Sequence, residues 1–351
     1  MPVDSAKLEK FLGKMIGDMG AAASASLVLL GDKLGLYKAL AAGGPLGSGE
    51  LAERTGTSER YVREWLAAQA AAGYVQHDSA TGKFAMTAEQ AAVFADEDNP
   101  AFLAGGFYGI ASMFLDEPKI TNAFRTGEGV AWGEHSECLF CGTEKFFRPG
   151  YLANLTSEWI PALDGVEEKL QRGAKVADVG CGHGVSTIVM AEAFQNSRFI
   201  GFDFREPSVA RATELAKESG VDNVSFEVAA AKDYPGHDYD LVACFDCLHD
   251  MGDPVGASAH VLQSLGAGGT WMIVEPFAHD ELERNLNPIG RMYYCFSTMI
   301  CTPASVSQEV GLALGAQAGE RKLREVVTSG GFTRFRRATE TPFNLVLEAR
   351  A

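Results

Sequence analysis

The chain has 351 residues, of which 46% are hydrophobic and 22% are charged, and its formal net charge is −16 at pH 7. This composition is typical of a soluble globular protein with room for about two domains of ~150 residues each. No run of 18 or more apolar residues is present, and the first ten residues lack an apolar signal segment, so we expect a cytoplasmic protein. The strong negative charge would repel nucleic acid and anionic membranes over most of the surface.

Residues 1–100 predict a helical domain that ends in a winged helix. Residues 8–42 have the pattern of apolar helices, and residues 47–75 predict a helix, a tight turn and a second helix. In the second helix Val62, Trp65, Leu66 and Ala70 recur at helical spacing, with Gln69 at the margin of that apolar stripe. Residues 74–87 then contain two short strand-like runs around a polar turn. A winged helix is the shape of many DNA-binding regulators.

The charges of this first domain argue against a DNA-binding role. Residues 1–100 carry nine Lys or Arg against thirteen Asp or Glu, and Glu59 and Glu64 offset Arg60 and Arg63 on the would-be recognition helix. A DNA-binding domain needs several unpaired cations for phosphates. We therefore expect no nucleic-acid or membrane partner. Instead we expect a homodimer, in which the helices of residues 8–42 bury against a second copy and the wing caps the neighbour's site.

Residues 101–160 are rich in aromatic side chains and predict a helical linker that lines a pocket. Cys138 and Cys141 form a CxxC motif there, but no second pair stands at the spacing of a zinc site, so we predict no metal. The seven cysteines are scattered and odd in number, which favours reduced thiols. A second apolar run, residues 291–303, is expected to close over the same pocket. The residues predicted to line it are Trp132, Met292, Tyr293, Phe296 and Met299.

Residues 161–351 alternate between strand-like and helix-like segments. Such alternation predicts a parallel sheet covered by helices on both faces. The last two strand-like runs, at residues 331–338 and 344–350, are separated by only a short polar turn, so they must pair antiparallel. We therefore predict an α/β fold with a Rossmann-like, doubly wound, seven-stranded sheet and an antiparallel terminal hairpin.

The most informative motif is VADVGCGHG at residues 176–184, a buried strand that runs into three glycines and then a helix. Asp203 ends the next strand-like run, about 20 positions later, where Rossmann-type proteins bind a ribose diol. A nicotinamide or flavin fingerprint requires G-x-G-x-x-G or A, but Val185 occupies its last position. Asp178 adds a negative charge that suits an ammonium and a sulfonium better than a pyrophosphate. The pattern D-x-G-x-G-x-G resembles the first motif of the class I S-adenosylmethionine methyltransferases.

This resemblance implies S-adenosylmethionine as the cofactor, with backbone groups recognising the adenine. The third-strand acidic residue that commonly faces the adenine amino group is replaced by Ala230 and Ala231, with Phe204 and Phe245 as apolar walls. The residues predicted to bind the cofactor are Asp178, Gly180, Cys181, Gly182, Gly184, Asp203, Phe204, Ala230, Ala231 and Phe245.

Residues 240–254 contain the fourth strand of the predicted sheet and the residues after its C-terminal end, which supply the candidate chemistry. Methyl transfer to a hydroxyl requires loss of the hydroxyl proton, and His249 can take a proton near neutral pH. Glu275 ends the fifth strand, from which it could orient the imidazole and stabilise its charged form. Asp250 completes the predicted catalytic set.

LHD at residues 248–250 and VEP at residues 274–276 resemble motifs of the winged-helix dimeric O-methyltransferases of plant phenolic metabolism and bacterial antibiotic pathways. The resemblance covers nearly the whole chain and is strongest to actinobacterial members often labelled as regulators. It implies a homodimeric enzyme that methylates a hydroxyl of a small apolar or phenolic molecule, with His249 as the base. Met251 replaces the usual Trp after His-Asp. Two alternatives stay open: a ligand- or S-adenosylmethionine-responsive regulator, and a methyltransferase acting on nitrogen or carbon.

Overall fold

The computed structural model describes residues 2–351, and the chain divides into two compact units. The first unit runs to Ala111 and also contains Cys141–Pro149; the second comprises Ser112–Phe140 and Gly150–Ala351. Residues 101–160 therefore contribute to both units, and the domain boundaries expected near residues 100 and 160 stay predictions.

The first unit has the expected winged helix. Its helices are α1 Ser5–Lys33, α2 Leu36–Gly43, α3 Ser48–Thr55, α4 Glu59–Ala71 and α5 Ala88–Phe94. The wing consists of the antiparallel strands β1 Gln76–Asp78 and β2 Lys83–Ala85. Helix α1 begins after Asp4, whose side chain accepts a hydrogen bond from the Lys7 backbone and so caps the helix.

The buried face of α4 forms the centre of this unit. Val62, Trp65 and Leu66 are buried as predicted. Gln69, expected at the margin of the stripe, is fully buried instead. The Tyr37 hydroxyl donates a 2.6 Å hydrogen bond to its Oε1, whereas its Nε2 has no partner within residues 2–351. Tyr37 also packs edge-on against Trp65, with ring centroids 4.9 Å apart. The hydrogen bond from Tyr37 offsets part of the cost of burying the Gln69 amide, since an unpaired buried polar group costs about 1–3 kcal/mol.

The remaining elements include the seven-stranded sheet that the sequence predicts. They are α6 Gly106–Thr126, α7 Cys138–Asn154, α8 Val166–Arg172, β3 Lys175–Val179, α9 Val185–Ala193, β4 Arg198–Asp203, α10 Glu206–Ser219, β5 Val224–Val228, β6 Tyr239–Phe245, α11 Pro254–Ser264, β7 Leu265–Pro276, α12 Pro288–Phe296, α13 Thr302–Val306, α14 Gly319–Ser329, β8 Arg334–Glu340 and β9 Asn344–Arg350. Strand order is β5-β4-β3-β6-β7-β9-β8. The first five strands in that order are parallel, and β9 is antiparallel to both neighbours. The predicted fold class is confirmed.

The strand order determines where a ligand can bind. From β3 the chain moves outward through β4 and β5, then returns to the other side of β3 for β6 and β7. This reversal opens a crevice at the carboxyl ends of the central strands, which is where doubly wound sheets bind ligands. The strands themselves are held by a core of fully buried residues, among them Val176, Val242, Trp271 and Leu347.

Within residues 2–351 no single helix has the length and apolar character needed to cross a membrane. Helices α1 and α2 taken together would meet that criterion, but the chain bends by 69° between them.

Candidate active site

A glycine-rich turn joins β3 to α9 at the reversal point of the sheet. The backbone N–H groups of Gly180 and Cys181 both donate to the Phe202 carbonyl, at 2.8 and 3.0 Å. The Gly182 N–H donates to Asp203 Oδ2 at 2.9 Å. The turn is therefore tied to the end of β4, and Asp203 helps to fix its shape.

All three glycines of this turn have positive φ. At Gly180 and Gly184 a Cβ would collide with side chains of the protein, so at these two positions the glycine makes room for protein atoms. A Cβ on Gly184 would lie 2.6 Å from the Phe226 ring, and one on Gly180 would lie 2.8 Å from Cys247 Sγ. Only at Gly182 would a Cβ meet nothing within 4 Å. Gly182 is thus the point where open space reaches the turn, and the other two glycines serve close packing.

Asp178 lies beneath this turn and is fully buried. Its Oδ2 accepts hydrogen bonds from Ser186 Oγ and Thr187 Oγ1, both at 2.7 Å, whereas its Oδ1 has no partner within residues 2–351. Burial is the main cause that raises the pKa of Asp178 to about 6, and the charge of Asp203 adds to the rise. The hydrogen bonds from Ser186 and Thr187 oppose it. An unpaired buried carboxylate oxygen is costly, so a cationic ligand group would be favoured here. This residue set fits a ligand that carries an ammonium and a sulfonium.

Asp203 ends β4 beside the turn and has only 9% of its surface exposed. Besides Gly182, the Arg205 backbone N–H donates to its carboxylate, at 2.9 Å. Burial raises the pKa of Asp203, with these backbone donors opposing the rise. The next residue, Phe204, is 56% exposed and offers an apolar face beside the carboxylate.

The other residues predicted to bind the cofactor are either buried among protein atoms or lie in the turn after β5. The Cys181 side chain is buried against Gly201 of β4 and points into the sheet core. Phe245 is buried at the end of β6, with its ring 5.3 Å from that of Tyr151, and β3 separates it from Phe204. That Phe204 and Phe245 form the apolar walls of the adenine site stays a prediction. Ala230 and Ala231 follow β5, in a turn where the Ala230 N–H donates to Asp233 Oδ1 at 3.2 Å.

The ends of β6 and β7 bring His249 and Glu275 into direct contact. His249 Nδ1 lies 2.6 Å from Glu275 Oε2, and the Leu248 backbone N–H donates to Glu275 Oε1 at 2.9 Å. Both side chains are nearly inaccessible to water. Each carboxylate oxygen thus has one donor, which fixes the imidazole and directs its Nε2 away from β7.

The sequence did not indicate what lies at the other imidazole nitrogen. Cys301 Sγ is 3.3 Å from His249 Nε2. Cys301 is buried and ends a π-helical turn, residues 297–301, between α12 and α13. The imidazole therefore lies between a carboxylate and a thiol.

Several acidic side chains lie near this imidazole, of which Glu275 is buried and Asp246 and Asp250 are half-buried. Burial favours the neutral form of His249, but Glu275 and Cys301 outweigh it and raise the pKa of His249 well above its usual value. Burial raises the pKa of Asp250 to about 7, which His249 opposes. Asp246 follows β6 with a φ of 50° and is half-buried; the loss of solvation raises its pKa well above the usual value, and Glu275 adds to the rise.

The residues predicted to line the acceptor pocket differ in their surroundings. Met292 and Phe296 are half-buried on α12 and four residues apart, so they share one face of that helix. Met299 is also half-buried but lies in the π-helical turn that follows. Tyr293 is buried, and its hydroxyl donates to the Phe343 carbonyl at 2.8 Å. Trp132 is half-buried, with its ring 5.9 Å from that of Phe140. Within residues 2–351 no group of three His, Cys, Asp or Glu side chains is arranged to hold a metal ion.

The glycine turn and the acids at the strand ends lie in a part of the chain that matches a methyltransferase domain. Residues 170–330 match the family model of a methyltransferase domain, and residues 22–95 match that of an Rv2258c-like winged helix-turn-helix domain. The chain therefore consists of a winged helix-turn-helix domain followed by a methyltransferase domain.

Known structures and sequences support this architecture. The fold is similar to that of the mitomycin 7-O-methyltransferase (TM-score 0.70, 20% identity, covering 99% of this chain and 100% of that one). It is also similar to human N-acetylserotonin methyltransferase, solved with S-adenosylmethionine (TM-score 0.71, 15% identity, covering 100% of this chain and 99% of that one). The match to a methyltransferase domain bears out S-adenosylmethionine as the predicted cofactor.

Two curated sequences align with part of the chain. A ubiquinone biosynthesis O-methyltransferase of Leptothrix cholodnii is 32% identical over 155 residues, which is 43% of this chain and 63% of that protein. The 27-O-demethylrifamycin SV methyltransferase of Amycolatopsis mediterranei is 34% identical over 160 residues, 45% of this chain and 47% of that protein. The chain thus spans less than two thirds of the length of these relatives.

Proposed function

We propose that the protein is an S-adenosylmethionine-dependent methyltransferase that acts on a hydroxyl group of a small, largely apolar or phenolic molecule. The observation that carries this proposal is the 2.6 Å contact between His249 and Glu275. It supplies a carboxylate-oriented base at the same sheet edge as the glycine turn. The O-methyltransferase relatives support the choice of oxygen as the acceptor atom.

The cofactor would lie along the ends of β3 and β4. Asp178, with its unpaired oxygen, would attract the ammonium of the methionine part. Asp203 would accept from the ribose hydroxyls, and the exposed Phe204 would cover the adenine. When bound, S-adenosylmethionine supplies an electrophilic methyl group on a positively charged sulfur.

His249 would act as the general base. With Nδ1–H donating to Glu275, the neutral imidazole has its lone pair on Nε2. Nε2 would take the proton of the acceptor hydroxyl, and Glu275 would stabilise the imidazolium that forms. For this to happen the hydroxyl must replace the Cys301 thiol, which contacts Nε2 at 3.3 Å. We therefore propose that the acceptor displaces the turn of residues 297–301 as it enters.

We further propose a cytoplasmic homodimer formed through α1. The first half of this helix exposes large apolar side chains, which a partner copy would bury. They are Leu8, Phe11, Leu12, Met15, Ile16 and Met19, each at least 38% exposed. On α4 the cations are already ion-paired, Arg60 with Glu64 at 2.7 Å and Arg63 with Glu59 at 2.6 Å, which disfavours phosphate binding.

Calorimetric titration tests the proposal, with S-adenosylhomocysteine as the cofactor probe and 1-naphthol with dihydroxynaphthalenes as acceptor probes. Wild type should bind S-adenosylhomocysteine and not NADH. His249→Ala should bind it within about threefold of wild type yet lose a factor of ~10²–10⁴ in turnover. His237→Ala is the matched control, because that imidazole is exposed and pairs with the neighbouring Asp238. Unchanged turnover in His249→Ala would rule out the base role, and binding of NADH alone would rule out the enzyme class.

A further inference from the structure

A second carboxylate–imidazole pair lies outside the site described above. His135 Nδ1 lies 3.2 Å from Asp116 Oδ2, and both side chains are at most 2% exposed. Asp116 also accepts hydrogen bonds from the backbone and hydroxyl of Ser136, at 2.9 and 2.7 Å, and from Lys119 at 2.9 Å. This carboxylate therefore connects residues 130–140, the His135 segment, to helix α6.

The donors around this pair determine its protonation. Burial alone would raise the pKa of Asp116, but the donors from Ser136, Lys119 and His135 lower it to about 2, so Asp116 is a carboxylate. Burial lowers the pKa of His135, although Asp116 opposes the change. A neutral His135 beside a carboxylate carries its proton on Nδ1. Nε2 is then a hydrogen-bond acceptor.

That acceptor atom is buried and has no partner among residues 2–351. A buried polar atom without a hydrogen bond costs about 1–3 kcal/mol. If His135 served only to fill space, this cost would bring no benefit, because an apolar ring of similar size would fill the same volume without an unpaired nitrogen. The arrangement is what a binding site has before its ligand supplies the missing donor.

The His135 segment extends from the part of the candidate active site near His249 to the part near Asp203. At one end the Val130 N–H donates to the Pro303 carbonyl at 3.0 Å. Pro303 lies two residues after Cys301, which contacts His249. At the other end the Arg205 guanidinium lies 3.9 Å from the Phe140 ring centroid, two residues beyond Asp203. Between these ends Trp132 contacts both Phe140 and His135, with ring centroids 5.9 and 6.3 Å apart.

We propose that His135 Nε2 binds a second hydrogen-bond donor of the methyl acceptor, a hydroxyl or N–H group other than the one that is methylated. The acceptor is then a small aromatic or apolar molecule with at least two donor groups. One meets His249, the other meets His135, and Trp132 packs on the ring between them. This inference rests on the proposed methyltransferase function for the identity of the ligand, but not for the binding preference itself.

The test measures binding of 1-naphthol and of the dihydroxynaphthalene isomers by calorimetry, with and without S-adenosylhomocysteine. Wild type should bind at least one dihydroxy isomer about tenfold more tightly than 1-naphthol. His135→Asn keeps an N–H that can reach Asp116 but removes the acceptor at the Nε2 position. It should therefore lose that preference while its affinity for 1-naphthol stays within about twofold.

Two further variants keep the test decisive if His135→Asn does not fold. His135→Gln can place a carbonyl oxygen near the Nε2 position and should retain part of the preference, whereas His135→Phe should lose all of it. A preference that survives in both Asn and Phe variants overturns the proposal. So does a wild type that shows no preference, or that binds none of the naphthols. Failure of S-adenosylhomocysteine to bind would overturn the proposed function instead, because the naphthol preference is also measured without it.

Discussion

Replacement of Glu275 by Gln tests the role of the carboxylate in the candidate active site. The introduced amide would keep the oxygen that accepts from the Leu248 backbone but would present an N–H₂ group to His249 Nδ1, which lies 2.6 Å from the wild-type carboxylate. The neutral imidazole would then carry its proton on Nε2, the nitrogen that has to accept the proton of the acceptor hydroxyl. We expect kcat to fall by a factor of ~10²–10⁴, the range attributed to a positioned base.

The pH dependence should change in a defined direction. His249 has a raised pKa in the folded protein, so kcat/KM of the wild type should still be rising with pH above the usual histidine value of 6.5, as the base loses its proton. Without the charge of Glu275 the pKa of His249 falls, and the rising limb moves to lower pH. The same shift affects stability: the contribution of the charged pair is complete below pH 6.5 and is lost as pH rises through the folded-state pKa.

A matched variant separates loss of chemistry from loss of stability. Glu348 is another buried Glu of the same sheet, on β9, where it is ion-paired with Arg350 at 2.6 Å. Glu275→Gln and Glu348→Gln should each lower the free energy of unfolding by about 1.5–3 kcal/mol, the value of a hydrogen bond to a charged group. Only Glu275→Gln should lose turnover. If its kcat stays within threefold of wild type, or falls no further than that of Glu348→Gln, the orienting role is refuted.

Two further predictions concern the turn and the dimer. Gly184→Ala should destabilise the protein by about 1–3 kcal/mol in thermal unfolding, because φ is +77° and the new Cβ would lie 2.6 Å from the Phe226 ring. Gly220→Ala, with a φ of +71° but nothing within 4 Å, should cost less, and equal losses would show that the overlap does not matter. Ile16→Glu should convert a dimer to a monomer in light scattering, because Ile16 is 70% exposed on the apolar face of α1. A wild type that is itself monomeric would contradict the proposed dimer, and Lys10→Glu serves as the surface control.

The sheet and its turn could be predicted because their signals are local. Strand-like runs alternate with helical ones, and glycines with an acidic residue mark the β3–α9 turn. His249 and Glu275 could be brought together as well, because β6 and β7 pair in parallel with Phe245 opposite Val274. The residues that follow both strands must then lie at one edge. No long-range information was needed for either inference.

Other parts of the site depend on contacts that no local pattern encodes. Cys301 reaches His249 from 52 residues away, through a π-helical turn that disrupts the helical period. Gly180 has the sequence signature of a ligand-binding glycine, yet its closest neighbour is the Cys247 side chain. Asp246 follows β6 in a left-handed conformation. Asp tolerates this conformation, but the presence of an Asp in the sequence does not predict it. Each of these depends on which chain segment packs against which.

The two carboxylate–imidazole pairs show why residue types alone do not assign roles. In the first, the carboxylate of Glu275 lies 2.6 Å from His249 and its negative charge raises the pKa of the imidazole. In the second, Asp116 is 3.2 Å from His135 and also pairs with Lys119; burial lowers the pKa of this imidazole, and the charge of Lys119 adds a smaller decrease. The first pair is therefore suited to holding a proton, and the second to remaining neutral and accepting a hydrogen bond. Both are His beside an acid, and a single lysine one helical turn from Asp116 contributes to the difference.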